Sequence, residues 1–187
     1  PLYLIFGGSK INDLVNTKRK IYEEHRATFH QYATETEKIL SFSSIPSAVQ
    51  HNAITILSSG EEAYQTIMFL IDQAQETIEV ETFILGKGAV GVAILEKLTE
   101  KAAQGVQVRF LLDGLVAFMY PKKHLRLFRK AGGKLVYFLP LRFRIFRSHV
   151  NLRNHRKLFI ADGKYAVMGG MNLAEEYMGP TPSKTRW

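Results

Sequence analysis

Residues 154–172 read NHRKLFIADGKYAVMGGMN. Two apolar runs in this stretch flank the pair Asp162-Gly163, and an Asp-Gly pair between two apolar runs predicts a β-hairpin with a two-residue turn. Because side chains alternate between the two faces of a strand, the turn also predicts which residues share a face. The stretch therefore predicts both a hairpin and the register of its strands.

The predicted register places Lys157 opposite Met168 and His155 opposite Gly170. Four residues then project from one face at the open end of the hairpin: His155, Lys157, Gly170 and Asn172. A nucleophile or base, a fixed cation, a position without a side chain and an amide donor meet there, and this combination fits a phosphate group. Asp162 lies in the turn, about 23 Å from His155 along the strand, so we expect it to be a structural residue.

The fixed residues of this stretch read H-x-K-x4-D-x6-G-G-x-N. This pattern resembles the HKD motif of the phospholipase D superfamily, and six fixed positions would coincide by chance on the order of once in tens of millions of starts. Three wider stretches are similar to the N-terminal half of bacterial cardiolipin synthases: NLRNHRK (151–157), MGGMNLAEEY (168–177) and VRFLLD (108–113). The resemblance extends from about Ile54 to Trp187.

The resemblance implies a two-step mechanism. His155 would attack phosphorus and form a covalent phosphohistidine, which divides one difficult displacement into two easier ones. Lys157 and Asn172 would hold the non-bridging phosphate oxygens in the transition state. Gly170 stands where many relatives carry Ser and is expected to lie against the substrate, while Gly169 is expected to be structural.

Three further residues are predicted to bind substrate. Asp113 ends an apolar parallel strand, and sites in α/β sheets collect at such ends. Glu81 is a carboxylate in an otherwise apolar strand, where it needs a partner. Arg153 adds a cation two residues before His155. For both carboxylates, a helix cap or a salt bridge is an equally good interpretation. No cluster of residues has metal-ligand spacing, so we expect no metal and no other cofactor.

The motif occurs once, because none of the other five histidines is followed two residues later by Lys. Relatives supply the general acid for the leaving alcohol from a second copy of the motif. The resemblance therefore implies that this chain is one half of an active site, with the second half in a missing C-terminal region or in a dimer partner. It also implies that a carboxylate orienting the histidine lies beyond Trp187.

Apolar periodicity and turn signals predict alternating strands and helices. Strands are expected at 53–57, 77–85, 106–112 and 134–139. Helices are expected from a capping box at Ser59 to about 75, over 90–104 with Gly105 after its end, and from Pro121. Such alternation predicts parallel strands, and the hairpin adds antiparallel pairing. The predicted fold class is therefore α/β, with a mixed, mostly parallel β-sheet flanked by helices.

Two domains are expected. Residues 1–45 are predicted to form a juxtamembrane helix (10–38) and a linker, and residues 46–187 the first half of a phospholipase D-like catalytic domain, truncated at its C-terminus. No stretch reaches the roughly 18 apolar residues of a membrane span. The apolar run over residues 2–6 fits either the end of a span or a buried terminal segment. The resemblance implies the bacterial cytoplasmic membrane, with spanning helices before residue 1.

Charge is distributed unevenly along the chain. Twelve Lys or Arg and no Asp or Glu lie between Gly114 and Ala161, and the remaining residues carry thirteen basic and seventeen acidic side chains. This block, with the alternating apolar and basic residues 141–147, indicates an anionic partner, either lipid headgroups or nucleic acid. A solvated helix face followed by an irregular connection would give the same pattern. The absence of Cys excludes disulfides and thiolate metal sites.

Three functions remain open at this point. The first is a phosphatidyltransferase of cardiolipin synthesis, which moves a phosphatidyl group between two phosphatidylglycerol molecules. The second is a homodimeric nuclease or phosphodiesterase with one HKD motif per chain, for which nucleic acid would be the partner. The third is an inactive fragment that binds anionic membranes.

Overall fold

The computed structural model describes residues 34–36, 39, 51–114, 117, 120–139, 153–182, 184 and 186. The chain divides into two compact units, Pro1–Thr55 and Ile56–Trp187, and all elements named below belong to the second. The linker predicted before residue 46 and the apolar-basic stretch 141–147 lie outside the described residues, as does nearly all of the helix predicted over 10–38. The domain boundary at residue 46 stays a prediction.

Five strands form one mixed sheet with the order β3-β2-β1-β4-β5. Their bounds are Thr77–Thr82 (β1), Gln107–Asp113 (β2), Lys134–Phe138 (β3), Leu158–Ala161 (β4) and Tyr165–Met168 (β5). The β1–β2 and β2–β3 pairs are parallel, whereas the β1–β4 and β4–β5 pairs are antiparallel. Four of the five strands therefore run in one direction, and the predicted mixed α/β class is confirmed.

Three helices pack side by side against one face of this sheet: Gly60–Gln73 (α1), Ala89–Ala103 (α2) and Lys122–Lys130 (α3). The predicted capping box begins α1, because the Ser59 side chain accepts from the Glu62 N–H at 3.1 Å and Glu62 accepts from the Ser58 N–H at 2.7 Å. Gly105, at φ +95°, follows the end of α2 as predicted. Pro121 is the N-cap of α3 rather than its first residue.

The core lies between the helices and the sheet. Strand residues that share a face by register are buried there, among them Val80, Phe110 and Phe159. Phe110 of β2 meets Phe128 of α3 edge to face, with 6.3 Å between ring centroids. Alternation of buried and less buried residues along β1 and β2 reflects a sheet with one fully covered face.

Two predicted strands need correction. Residues 53–57 form no strand, and Ile54 and Ile56 are exposed there. The alternating segment has no neighbouring strand with which to pair. Strands β2 and β4 occupy both sides of β1, and the outer strands β3 and β5 do not pair with this segment. The strand predicted over 77–85 ends at Thr82, whose hydroxyl donates to the Ile84 carbonyl at 3.0 Å and so turns the chain locally.

The predicted hairpin exists, but its predicted register is wrong by one residue. Asp162 and Gly163 both have positive φ, 52° and 60°, as the predicted turn requires. However, Ala161 pairs with Tyr165, so Lys164 is an additional residue in the loop. Met168 consequently lies opposite Leu158 and not Lys157. The Asp-Gly pair encodes the turn conformation, but it does not encode the extra residue that follows.

The C-terminal ends of β1, β2 and β3 lie at one edge of the sheet, together with the N-terminal end of antiparallel β4. The segment 153–157, which precedes β4, is therefore placed at the edge where the parallel strands end. Crevices at such edges are the usual location of sites in α/β sheets.

Candidate active site at the edge of the sheet

Residues Phe83 and Ile84, immediately after β1, are the point on which the predicted catalytic residues converge. The imidazole of His155 stacks on the Phe83 ring, with 4.0 Å between centroids and 19° between planes. His155 is otherwise exposed, so one face of its ring is covered and the rest is accessible. This arrangement holds the imidazole without burying its nitrogens.

Lys157 approaches the same ring. Its Nζ lies 5.8 Å from the Phe83 centroid and donates to the carbonyl oxygen of His155 at 2.7 Å. Burial lowers the pKa of Lys157 below the ordinary value of 10.5. The ammonium is therefore fixed next to the histidine in a partly dehydrated position, where an anionic ligand would interact with it strongly.

Asn172 reaches this point from the other side of the hairpin. It is 4% exposed, and its Oδ1 accepts from the Ile84 N–H at 3.2 Å. This contact uses the carbonyl oxygen and so leaves the Nδ2 amide as the group that can donate to a ligand. The side chain is thus oriented by the segment that also carries the Phe83 ring.

A short parallel pairing outside the sheet brings Asn172 into place. Leu173 forms an isolated bridge with Leu85. The Leu173 N–H donates to the Ile84 carbonyl at 3.2 Å, and the Gly86 N–H donates to the Leu173 carbonyl at 2.8 Å. The predicted explanation, strand alternation along the hairpin, does not apply here, because β5 ends at Met168.

The two strand carboxylates contact the segment that precedes His155. Asn154 Nδ2 donates to Glu81 Oε1, and Asn154 Oδ1 accepts from the Arg156 N–H at 3.2 Å. Asp113 forms an ion pair with Arg153 at 3.5 Å, with the side chains 0% and 7% exposed. Glu81, Asp113 and Arg153, which were predicted to bind substrate, therefore hold the chain immediately before His155. Removing one partner of a buried ion pair generally destabilises the folded protein.

Asp162 lies at the opposite end of the hairpin and binds backbone instead of ligand. Its carboxylate accepts from the N–H groups of Gln75, Glu76 and Thr77 at 2.8–3.2 Å. The hydrogen bonds from Thr77, Gln75 and Glu76 lower the pKa of Asp162 below the ordinary 3.8. The aspartate of the motif therefore joins the hairpin turn to the turn between α1 and β1.

The two glycines of the motif lie on the open side of the site. The Gly169 N–H donates to the Lys157 carbonyl at 3.3 Å, which continues the hairpin pairing by one residue. Among the described residues, none has an atom within 4 Å of a Cβ added at Gly170, so they leave the space beside it free. A cavity next to Lys157 is bordered by Glu81 and both glycines, and its wall is apolar, with Ile67, Val80, Leu173 and Met178 among its residues.

The sequence-based prediction did not include Phe83 or Asn154. Phe83 belongs to an ordinary run of strand-forming residues, and its contact with His155 depends on tertiary pairing alone. Asn154 directly precedes the motif histidine, and that position was the available signal. Among the described residues, no three His, Asp or Glu side chains are grouped so that they could hold a metal ion.

Comparison with known proteins agrees with this geometry. Residues 67–180 match the family described as "Cardiolipin synthase, PLD-like domain". The chain is 36% identical to Cardiolipin synthase 2 of Bacillus anthracis over 66% of this chain and 24% of that protein. It is 33% identical to Major cardiolipin synthase ClsA of Bacillus subtilis (strain 168) over 74% of this chain and 29% of that protein.

Cardiolipin synthase A of Pseudomonas putida (strain W619) is 28% identical over 99% of this chain and 42% of that protein. Among solved structures, the phospholipase D family member Nuc from Salmonella typhimurium aligns with a TM-score of 0.49 and 16% identity, over 65% of this chain and 71% of that chain. The family match covers more than half of the sequence. This chain belongs to the family of cardiolipin synthase PLD-like domains, which confirms the resemblance seen in its motifs. It spans about a quarter to two fifths of the length of these relatives.

Proposed function

We propose that this chain provides one half of the active site of a phosphatidyltransferase that makes cardiolipin. The observation that carries the proposal is the convergence of His155, Lys157 and Asn172 on residues 83–84. An accessible imidazole beside a fixed ammonium and an oriented amide suits attack on a phosphodiester. The apolar cavity next to Lys157 supports an amphiphilic substrate.

In the proposed reaction, an imidazole nitrogen of His155 attacks the phosphorus of phosphatidylglycerol. The bond from phosphorus to the glycerol oxygen breaks, and glycerol leaves with a proton from a general acid in the second half of the site. The primary hydroxyl of another phosphatidylglycerol then gives its proton to the same group of the second half, which now acts as a base, and attacks the phosphohistidine. The phosphorus–nitrogen bond breaks, cardiolipin forms, and His155 is regenerated. Lys157 and Asn172 stabilise the charge on the equatorial oxygens in both steps.

The substrate places this reaction at a bacterial membrane. Within the described part of the chain, no helix combines the length and apolar character needed to cross a bilayer. Because the proposed substrate is a membrane lipid, we propose that the site acts at the membrane surface, together with a second HKD half from the same protein or from a partner copy.

The test uses the whole protein that contains this chain, phosphatidylglycerol in detergent, and separation of the lipid products. We expect cardiolipin and glycerol from the wild type, and a loss of about 10³-fold or more from His155→Ala. His51→Ala removes an exposed histidine that does not belong to the motif and is the matched control. Acid hydrolyses a phosphohistidine. If the phosphatidyl group of the substrate carries a label, the labelled protein intermediate should therefore survive an alkaline quench but not an acid quench. Undiminished cardiolipin from His155→Ala would refute the proposal.

A further inference from the structure

Helix α3 carries a basic surface that the active site does not use. Its sequence is KKHLRLFRK, with no acidic residue. Leu125 and Phe128 are 3% and 0% exposed and attach the helix to the core, so the opposite side faces outward. The helix therefore has one apolar side for packing and one cationic side toward solvent.

Four cations of α3 have no acidic partner in the described part of the chain: Lys122, Lys123, Arg126 and Lys130. The ion pairs there involve other residues, such as Lys97 of α2, which lies 2.8 Å from Asp72. Arg129 donates to the Leu135 carbonyl at 3.4 Å and lies over the Tyr137 ring. Lys97 of the neighbouring helix α2 is thus neutralised by carboxylates, whereas α3 keeps four cations available.

An exposed apolar side chain lies among these charges. Leu127 is 48% exposed. It follows Lys123 by four residues and precedes Lys130 by three, spacings that place side chains on the same side of a helix. A leucine surrounded by cations on the outer side of a helix matches the chemistry of a membrane–water interface, where apolar groups enter the lipid and cations meet phosphates.

We propose that the outer side of α3, formed by Lys122, Lys123, Arg126, Leu127 and Lys130, docks on an anionic lipid bilayer. The cations lie against lipid phosphates, and Leu127 inserts at headgroup depth. A crossover helix runs antiparallel to the strands that it connects. The first residues of α3 therefore lie toward the sheet edge that carries His155, and docking brings that edge to the membrane. Nucleic acid is less well matched, because the only Phe, Tyr or Trp of α3 is Phe128, which is fully buried and cannot stack on a base.

The test measures partition of the 187-residue chain to sedimented phosphatidylcholine vesicles with and without phosphatidylserine, which is not the proposed substrate. We expect binding only to the anionic vesicles, and its loss at high salt. The triple variant Lys123→Gln/Arg126→Gln/Lys130→Gln should bind about 100-fold more weakly, at about fivefold for each cation. Leu127→Gln should weaken vesicle binding several-fold and leave any binding to duplex DNA unchanged.

The matched control is Lys134→Gln/Lys164→Gln/Lys184→Gln, which removes three exposed cations outside α3. Thermal unfolding checks that each variant is folded. Equal losses from the α3 and control variants would overturn the proposal, and so would full vesicle binding by the α3 triple variant. An unchanged affinity of Leu127→Gln would exclude insertion. Binding is measured without turnover, so failure of cardiolipin formation would leave this result intact.

Discussion

A phenylalanine outside the sequence motif organises the candidate site. Phe83 lies under the His155 imidazole and within 5.8 Å of the Lys157 ammonium. Its backbone neighbour Ile84 orients Asn172. The ring is therefore a positioning group, because it limits the orientation of the imidazole while leaving the nitrogens accessible. Small displacements of a reacting group can be costly in rate.

Substituting Phe83 by Leu should remove this platform and retain most of the apolar volume. We expect kcat of the whole protein to fall by about 10- to 100-fold with a smaller change in KM. Phe83→Tyr should retain activity because it retains the ring. The His155 imidazole protons should also lose their ring-current shift in NMR spectra of Phe83→Leu. Phe69→Leu, at an exposed position of α1, is the control. Full turnover by Phe83→Leu would argue against positioning by the ring.

Asp162 has a structural effect that depends on pH. Its pKa is lowered in the folded chain by three backbone donors. The carboxylate therefore stabilises the fold at pH values above the ordinary 3.8, and this stabilisation is lost as the pH falls through the lowered pKa. Asp162→Ala should reduce the free energy of unfolding by about 1–2 kcal/mol at neutral pH.

Urea unfolding measured as a function of pH checks this prediction for Asp162. The difference between wild type and Asp162→Ala should shrink in acid, once the wild-type carboxylate is protonated. Glu76→Ala removes a nearby exposed carboxylate and should have little effect at any pH. A difference that persisted unchanged in strong acid would contradict the role of the ionised carboxylate.

At the scale of elements, helix α2 depends on a residue far away in sequence. Its N-cap, Gly88, has no side chain to accept a hydrogen bond. The Ala89 N–H donates instead to Glu175 Oε1 at 2.7 Å. A Cβ at Gly88 would lie 1.9 Å from Glu175 Oε2. The glycine therefore makes room for a cap from the segment that carries Asn172, and this cap links α2 to the site.

This arrangement predicts that Gly88 and Glu175 are energetically coupled. Glu175→Ala should cost about 1 kcal/mol through loss of the cap, and Gly88→Ala should cost a similar amount by displacing the carboxylate. The double variant should cost less than the sum, because both changes break the same contact. Thermal or urea unfolding of the four proteins measures the coupling. Glu176→Ala, at the exposed neighbouring position, is the control. Strict additivity would show that the two residues act independently.

Local signals explain which elements the sequence predicted well. The capping box at Ser59 and the glycine after α2 depend on neighbouring residues, and both are confirmed. The hairpin register depends on Lys164, an extra residue with no distinctive signal. Residues 53–57 have the alternating apolar pattern of a strand, but no strand of the sheet pairs with them. Local chemistry therefore predicted the start of α1 and the end of α2, whereas strand pairing depended on the rest of the chain.

At the scale of the whole molecule, the motif named the candidate site residues, but it gave a wrong account of how they meet. Hairpin alternation predicted a common face for His155, Lys157 and Asn172. In the structure they meet through Phe83 and Ile84, because Leu173 pairs with Leu85. That pairing joins residues 88 positions apart, much as His155 reaches Phe83 from a distant part of the chain. No short-range pattern encodes such contacts.

The central position of β1 has a consequence for synthesis of the protein. Ile78 pairs with Ala161, so the second edge of β1 stays unpaired until the ribosome has made β4. Closing a loop of this length is slow compared with forming the neighbouring helices. A nascent chain that ends after β3 exposes a strand edge on which other chains can pair, and it is a candidate for chaperone protection. His155 directly precedes β4, the strand that closes this edge, so we expect the candidate site to form only after β4 has paired with β1.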